Sequence, residues 1–445
     1  VTRERRAKWR FKDWASSLGF QHYNARFQSP QPSFKTLTPE QENDRYQQAI
    51  AFVAKLGGAL QRYGTPANRL DQVLVFLSKE LGLKGNFFST PSAIFYSYDL
   101  PGERGFARLQ RVYNKDLDLS KLSQLDRLFN DVWAGTVSLV DGAKRVDEIT
   151  ADPPPYKKWL TFLCFGLTSA MASTFFGGGF AEMLLSGATG SVLGLLYLWA
   201  AANETIGRLF EPLGALLVSI TALSLAGTLG ASSDIATLAG IIVLVPGFSI
   251  AIGATELALG HPASGVARLA GAMVTFLMLT MGVMFGQQIT SFWGVDAAAD
   301  FTPAALPGWV EPMALLVAGT TLGILFKAAR RDLPWTVAAV MLPYLAFQLG
   351  IADLGLEASI FLGALIAGVF SNVFARWKDR PSLIVRLPGI LILVPGATGF
   401  LSLGDLANGD VLEGMQAMVR VLMTATALVT GFLVSNAVLP PRKAL

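Results

Sequence analysis

"IIVLVPGFSI", residues 241–250, is as apolar as a membrane-spanning helix, yet it carries Pro246-Gly247 in its middle. Proline and glycine are the two poorest helix formers. Hydrocarbon offers nothing to replace a lost backbone hydrogen bond, so a bilayer is where broken helix costs most. A second copy, "LILVPGATGF", occupies residues 391–400. Whether these are packed kinks or deliberate interruptions decides how the chain is read.

The composition around them is that of a membrane protein. Of 445 residues, 52% are hydrophobic and 15% charged, against ~25% charged in an ordinary soluble domain. The cations are unevenly spread: 24 of the 36 Lys and Arg precede Trp159 and 12 follow it. The first third therefore reads as soluble and basic, the remainder as embedded in lipid. Residues 1–44 show little periodicity and are expected to form a flexible basic tail; leaning on anionic lipid is the alternative. No apolar stretch of signal-peptide type follows the first basic residues. Residues 45–155 read as a small soluble α/β domain: helices over "NDRYQQAIAFVAKLGGALQRYG" and "TPANRLDQVLVFLSKELGLKG", strands in "NFFSTPSAIFYSY" and "GFARLQRVY", then helices over about 119–133 and 136–150. Gly85 is expected just past the second helix. "ADPPPYKKW" is a stiff link into the membrane.

From Trp159 onward ten apolar stretches are long enough to span, or nearly so. They lie at about 159–177, 181–201, 211–230, 236–256, 266–289, 309–327, 333–350, 356–375, 385–404 and 414–438. With the N-terminal domain and both termini in the cytoplasm, the cytoplasmic connections hold Lys157, Lys158, Arg208, Arg268, Lys327, Arg330, Arg331, Arg376, Lys378, Arg380, Arg386, Arg442 and Lys443. The outer connections hold no Lys or Arg, which is the positive-inside pattern. Arg420 is then expected to be the only cation within a span.

A shift of 149 residues superimposes the two apolar halves, 156–290 and 309–438, without a gap from the third span to the fifth. Leu213-Gly214-Ala215-Leu216 falls on Leu362-Gly363-Ala364-Leu365, Gly240 on Gly389, and Leu244-Val245-Pro246-Gly247 on Leu393-Val394-Pro395-Gly396. Gly265, Thr275 and Gly282 fall on Gly414, Thr424 and Gly431. Five spans per repeat is an odd number, so the second repeat starts from the opposite side. The expected fold is an all-α polytopic membrane protein of two five-helix inverted-topology repeats, preceded by the soluble α/β domain. Secondary transporters use such repeats and bind their substrates at discontinuous helices near the midplane.

On this reading Pro246 and Pro395 are helix breaks. Proline removes a donor and clashes with the preceding turn. The freed backbone is tolerable where it lines a polar cavity. Gly247, Ser249, Gly396 and Thr398 are therefore candidate substrate-binding residues, with Asn372 in "AGVFSNVFA" as a further one; the alternative is a pair of packed kinks. Glu256 and Asp405 also match at the same offset, ten residues past each break. They are candidate proton-coupling carboxylates at two gates, the alternative being that both end their spans in the headgroups. Gln348, Gln287 with its repeat mate Asn436, and Arg420 are the other polar groups within spans.

Several chemistries lack their residues. There is one cysteine, Cys164, and two distant histidines, His22 and His261, so no metal site and no cofactor is expected. No P-loop or H-E-x-x-H occurs. "SLGD", 402–405, is only faintly like an intramembrane aspartyl protease motif and has no second carboxylate to pair with. No enzyme is expected, and no nucleic-acid partner.

A soluble domain containing "LGGALQRYGTPANRLDQVLVFLSKELGL" and "TPSAIFYSY", followed by ten spans with twin "VPG" breaks, resembles the threonine/serine exporter family over about residues 45–438. The resemblance implies export of small hydroxylated amino acids, threonine or serine, across the bacterial inner membrane, driven by proton antiport, with both halves fused in one chain. The implied partners are that small-molecule substrate, protons and membrane lipid; a homo-oligomer is compatible. A small dicarboxylate such as succinate is the alternative cargo, the lack of cavity cations other than Arg420 weighing against it. A channel or a membrane-embedded hydrolase are alternatives of another class.

Overall fold

In the computed structural model the described residues are 39–99, 106–112, 117–294, 301–394 and 396–441. Most of the basic tail, Pro395, Arg442 and Lys443 lie outside them.

The N-terminal unit begins with α1 (Pro39–Arg62) and α2 (Ala67–Glu80), continues through strands β1 (Lys84–Thr90), β2 (Ala93–Asp99) and β3 (Phe106–Arg111), and ends with α3 (Leu119–Trp133) and α4 (Leu139–Ala151). The strands form one antiparallel sheet in the order β1-β2-β3. The aromatic stretch 86–98 is thus not one strand but a hairpin, because it turns at Pro91-Ser92 and pairs Thr90 with Ala93. Gly85 lies inside β1. The residue that ends the turn after α2 is Gly82, at φ 81°, a conformation costly for a side chain. Leu56, Leu60, Leu70, Leu74 and Leu77 are buried and pack with Ile94 and Tyr98 of the sheet. Asp118 caps α3 by accepting from the Lys121 amide at 2.9 Å, satisfying one of the free donors of a helix start.

The apolar part contains α5 (Lys158–Phe175), α6 (Phe180–Ala200), the short α7 (Glu204–Arg208), α8 (Phe210–Leu229), α9 (Ser233–Ile241), α10 (Gly247–Ala258) and α11 (Pro262–Phe292). A second series follows: α12 (Val310–Leu325), α13 (Leu333–Leu354), α14 (Leu356–Lys378), α15 (Leu383–Leu391), α16 (Gly396–Asn408) and α17 (Val411–Val438). Six helices are long and apolar enough to cross a bilayer. A seventh span results if α15 and α16, bent by 40° at their break, count as one. The chain is therefore a polytopic helical membrane protein. Ten full-length spans are not reached by this measure: α10 and α12 are short apolar helices.

The glycines that match at an offset of 149 make matching contacts. A Cβ on Gly282 of α11 would lie 2.5 Å from the Pro212 carbonyl and 2.8 Å from Ala215 of α8. On Gly431 of α17 it would lie 2.6 Å from the Phe361 carbonyl and 2.7 Å from Ala364 of α14. Only glycine allows these helix pairs to come so close. Near the same crossings Ser219 of α8 faces Gly286 of α11, whereas Gly368 of α14 faces Ser435 of α17. The small and the larger residue have changed places, and each gap is still filled once.

The N-terminal unit is docked through two helix starts. The amides of Leu119 and Ser120, at the start of α3, donate to the carbonyls of Phe326 and Lys327 beyond α12, both at 3.0 Å. The start of α2 meets a carboxylate in the membrane part.

Candidate functional site

Both "VPG" segments interrupt their helices. The first helix stops at Ile241 and resumes at Gly247; the second stops at Leu391 and resumes at Gly396. Their local hydrogen bonds match: Gly247 N–H donates to the Val245 carbonyl at 2.8 Å, and Gly396 N–H to the Val394 carbonyl at 2.7 Å. The two interruptions meet each other. A Cβ on Gly247 would sit 3.2 Å from Cγ1 of Val394, and one on Gly396 would overlap Cγ1 of Val245. Each break thus uses its glycine to admit the valine of the other. Valine side chains fill the crossing, where polar backbone facing a cavity was expected. Half-buried Ser249 and Thr398 lie two residues past the glycines, one on each side.

The polar residues gather farther along, beneath the N-terminal unit. Glu256, near the end of α10, is fully buried. Its carboxylate accepts from the Ala67 amide at the start of α2 (2.8 Å), from Ser264 Oγ (2.7 Å) and from Arg268 Nε (3.0 Å). An anion at a helix start is favoured by the free N–H groups and the helix dipole. Glu256 thus ties the N-terminal unit to the membrane part. Beside it Asp71 accepts from Ser89 Oγ at 2.6 Å and lies 3.9 Å from Nδ1 of His261. Burial pushes the Asp71 carboxyl above the usual carboxylate range. Asp405 lies on α16, but its side chain is outside the described residues.

Asn372 is buried on α14. Its Nδ2 donates to the Leu439 carbonyl at 2.6 Å and to Asn436 Oδ1 at 3.1 Å, and its Oδ1 accepts from Arg386 at 3.1 Å. Arg386 is the residue that sequence reasoning missed as a site residue. It was counted among the connection charges, yet it lies inside α15, over the Phe432 ring at 5.6 Å. The available signal was its place four residues into the apolar run "SLIVRLPGI". Arg420 does lie within the candidate span α17, on its exposed surface, but it is not the only cation so placed, since Arg268 lies in α11 and Arg386 in α15. Gln348 is also at the surface, donating to Glu311 at 3.0 Å. A second buried carboxylate that went unnoticed, Glu182, accepts from the Gly179 and Ser232 amides at the opposite end of the bundle.

A cavity of about 250 Å³ opens between these elements. Asn68, Arg69 and Gln72 of α2 form one wall; Glu256 of α10, Arg386 of α15 and Asn436 of α17 form others. Apolar side chains, among them Ile252 and Phe432, complete it. The cavity is large enough for a small metabolite and holds more cations than acids. Among the described residues no group of His, Cys, Asp and Glu has the arrangement of a metal site.

Fold and site together define a multi-pass membrane protein with a solute-sized cavity that carries a few charged and amide groups and is lined in part by α10 and α15, the helices beside the two interruptions. Residues 51–290 match a family described as "Putative threonine/serine exporter" and residues 312–438 one described as "Threonine/Serine exporter, ThrE". The chain belongs to the threonine/serine exporter family and contains both of its halves. It is 27% identical over 402 residues to a pheromone-regulated membrane protein 10 of Eremothecium gossypii, an alignment covering 85% of this chain and 53% of the relative. The corresponding Saccharomyces cerevisiae protein is 25% identical over 376 residues, covering 82% and 48%. The chain thus spans about half the length of these curated relatives. No solved structure matches it. These relatives are fungal, so they lend no support to the expected bacterial inner membrane.

Proposed function

We propose that the chain is a secondary active transporter that exports small hydroxylated amino acids of the threonine and serine type by alternating access. The observation that carries this reading is the reciprocal contact of the two breaks, Val394 on Gly247 and Val245 on Gly396. Two such halves, running in opposite directions through ten membrane segments, exchange inward-open and outward-open shapes of similar energy. In this reading the valines close the path at the crossing. When they part, Ser249, Thr398 and the backbone at Gly247 and Gly396 bind the substrate's polar groups. The N-terminal unit and the cation-rich connections face the cytoplasm.

Proton coupling runs through Glu256 and Asp405. Three donors hold Glu256 in the docked state, so in this reading coupling through it requires Arg268 and α2 to move away. The deciding experiment is counterflow in proteoliposomes: labelled threonine should exchange against internal threonine, faster with a pH gradient. Loss of trans-stimulation would indicate a channel, and a new chemical product an enzyme. Dicarboxylate cargo is the second reading, because Arg386 and Arg69 supply the cations that the sequence had not revealed in the cavity.

A further inference from the structure

We infer that Arg386, with Arg69 and Asn436, forms a binding site for the carboxylate group of a small organic acid between the N-terminal unit and the second membrane half. The proposal rests on the transporter reading for its use, but not for its existence. An arginine does not give up its proton in a protein, so Arg386 brings a full charge into α15. Among the described residues no acid pairs with it. Its polar partners are the neutral oxygens of Asn372 and Asn436, at 3.1 and 3.3 Å. Its Nε is buried with no acceptor at all. Arg69, whose charged form is disfavoured by burial, lines the same cavity and is bonded only to the neutral Gln72. Glu256 is the single acid in the lining, and its oxygens already serve three donors. Two cations thus line one cavity without a free counter-ion among the described residues, an arrangement that an anionic guest relieves.

The walls select the kind of anion. A guanidinium fork matches a carboxylate with two parallel N–H···O bonds, and Arg386 and Arg69 both bring such a group to the lining. Phosphate is favoured by several converging backbone N–H groups. Here two helix starts line the cavity: that of α2 is taken by Glu256, and at that of α15 the amides of Ile384, Val385 and Arg386 already donate to the Pro381 and Ser382 carbonyls. Ile252, Leu383, Ile390 and Phe432 offer carbon to the rest of the ligand. The one carboxylate in the lining is already engaged, so no negative charge there is left for an ammonium group. The carboxylate should therefore be required and the α-amine dispensable.

The test is equilibrium binding to the purified full chain in detergent or nanodiscs, using L-threonine, its amide and 3-hydroxybutyrate. Threonine and 3-hydroxybutyrate should bind within a few fold of each other, and threoninamide roughly 30-fold more weakly, as expected for the loss of a charge-assisted pair. Arg386→Gln should abolish the difference between acid and amide, with Arg386→Lys restoring part of it. Arg69→Gln should weaken acid binding about 3- to 10-fold. Equal binding of acid and amide by the wild-type chain overturns the site, as does unchanged acid binding in Arg386→Gln. If Arg386→Gln does not yield monodisperse protein, the wild-type comparison and Arg69→Gln decide. Arg386-dependent acid binding without counterflow leaves the site standing and sinks the transporter reading. Counterflow with indifference between acid and amide does the reverse.

Discussion

Under Gly282 lies the carbonyl of Pro212; under Gly431, 149 residues on, lies that of Phe361. Ala215 and Ala364 flank them in the same way. Move a few ångströms toward the N-terminal unit and the likeness ends. Where the second half has Asn372, Arg386 and Asn436, the first has Leu223, Thr237 and Gln287. Where the first half surrounds Glu256 with Ser264 and Arg268, the second has Glu413 and Ala417 at the positions equivalent to those two. Close helix contacts tolerate little change of volume, so both halves keep them. Polar side chains at helix ends depend on what is docked there. Only one end of the bundle carries the N-terminal unit.

The largest effect that separates the halves should come from Glu256→Gln. It leaves Arg268 without its charge partner in a site where it is 12% exposed, and breaking a buried pair costs about 3–5 kcal/mol. Hydrogen exchange at the start of α2 should rise sharply, as should proteolysis of the N-terminal unit. Asp405→Asn should change neither. If Glu256→Gln leaves α2 as protected as before, the carboxylate is not the tether.

The next effect sharpens the likeness at the crossing. Gly396→Ala drives a methyl into Val245 and should destabilise by about 1–3 kcal/mol. Gly247→Ala meets Val394 at 3.2 Å and should cost less than about 1 kcal/mol. Val245→Ala should rescue Gly396→Ala in a thermal unfolding assay. Absence of rescue would mean that the two breaks do not touch.

The smallest effect uses the exchanged pair. Gly368→Ser alone places two serines face to face and should lower stability by about 1–2 kcal/mol. Adding Ser435→Gly recreates the first half's arrangement, Ser219 on Gly286, and should recover most of the loss. A double variant no better than the single one would break the equivalence of these contacts.

Much of this was legible from residues alone. The helix ends, the interruptions at 242–246 and after 391, and the equivalence of the glycines follow from apolar periodicity, two Pro-Gly pairs and one constant offset. The hairpin in 84–99 was missed because an aromatic run looks continuous when its turn contains a single proline. Arg386 was missed because a cation close to a connection obeys the positive-inside pattern whether it faces water or a cavity. Arg420 was overrated for the converse reason: its position along the helix was known, but not the side of the helix it occupies.

Sequence by itself determined a membrane chain with matching residues at one constant offset and two Val-Pro-Gly interruptions, because periodicity and repetition are properties of neighbours and of a fixed spacing. Only the tertiary structure decided what Glu256 and Arg386 do. The Ala67 amide that holds Glu256 is 189 residues away, and Asn436 comes to Arg386 from 50 residues farther along. A buried charge takes its meaning from the partners at hydrogen-bond distance, and those partners are brought together by the docking of separate elements.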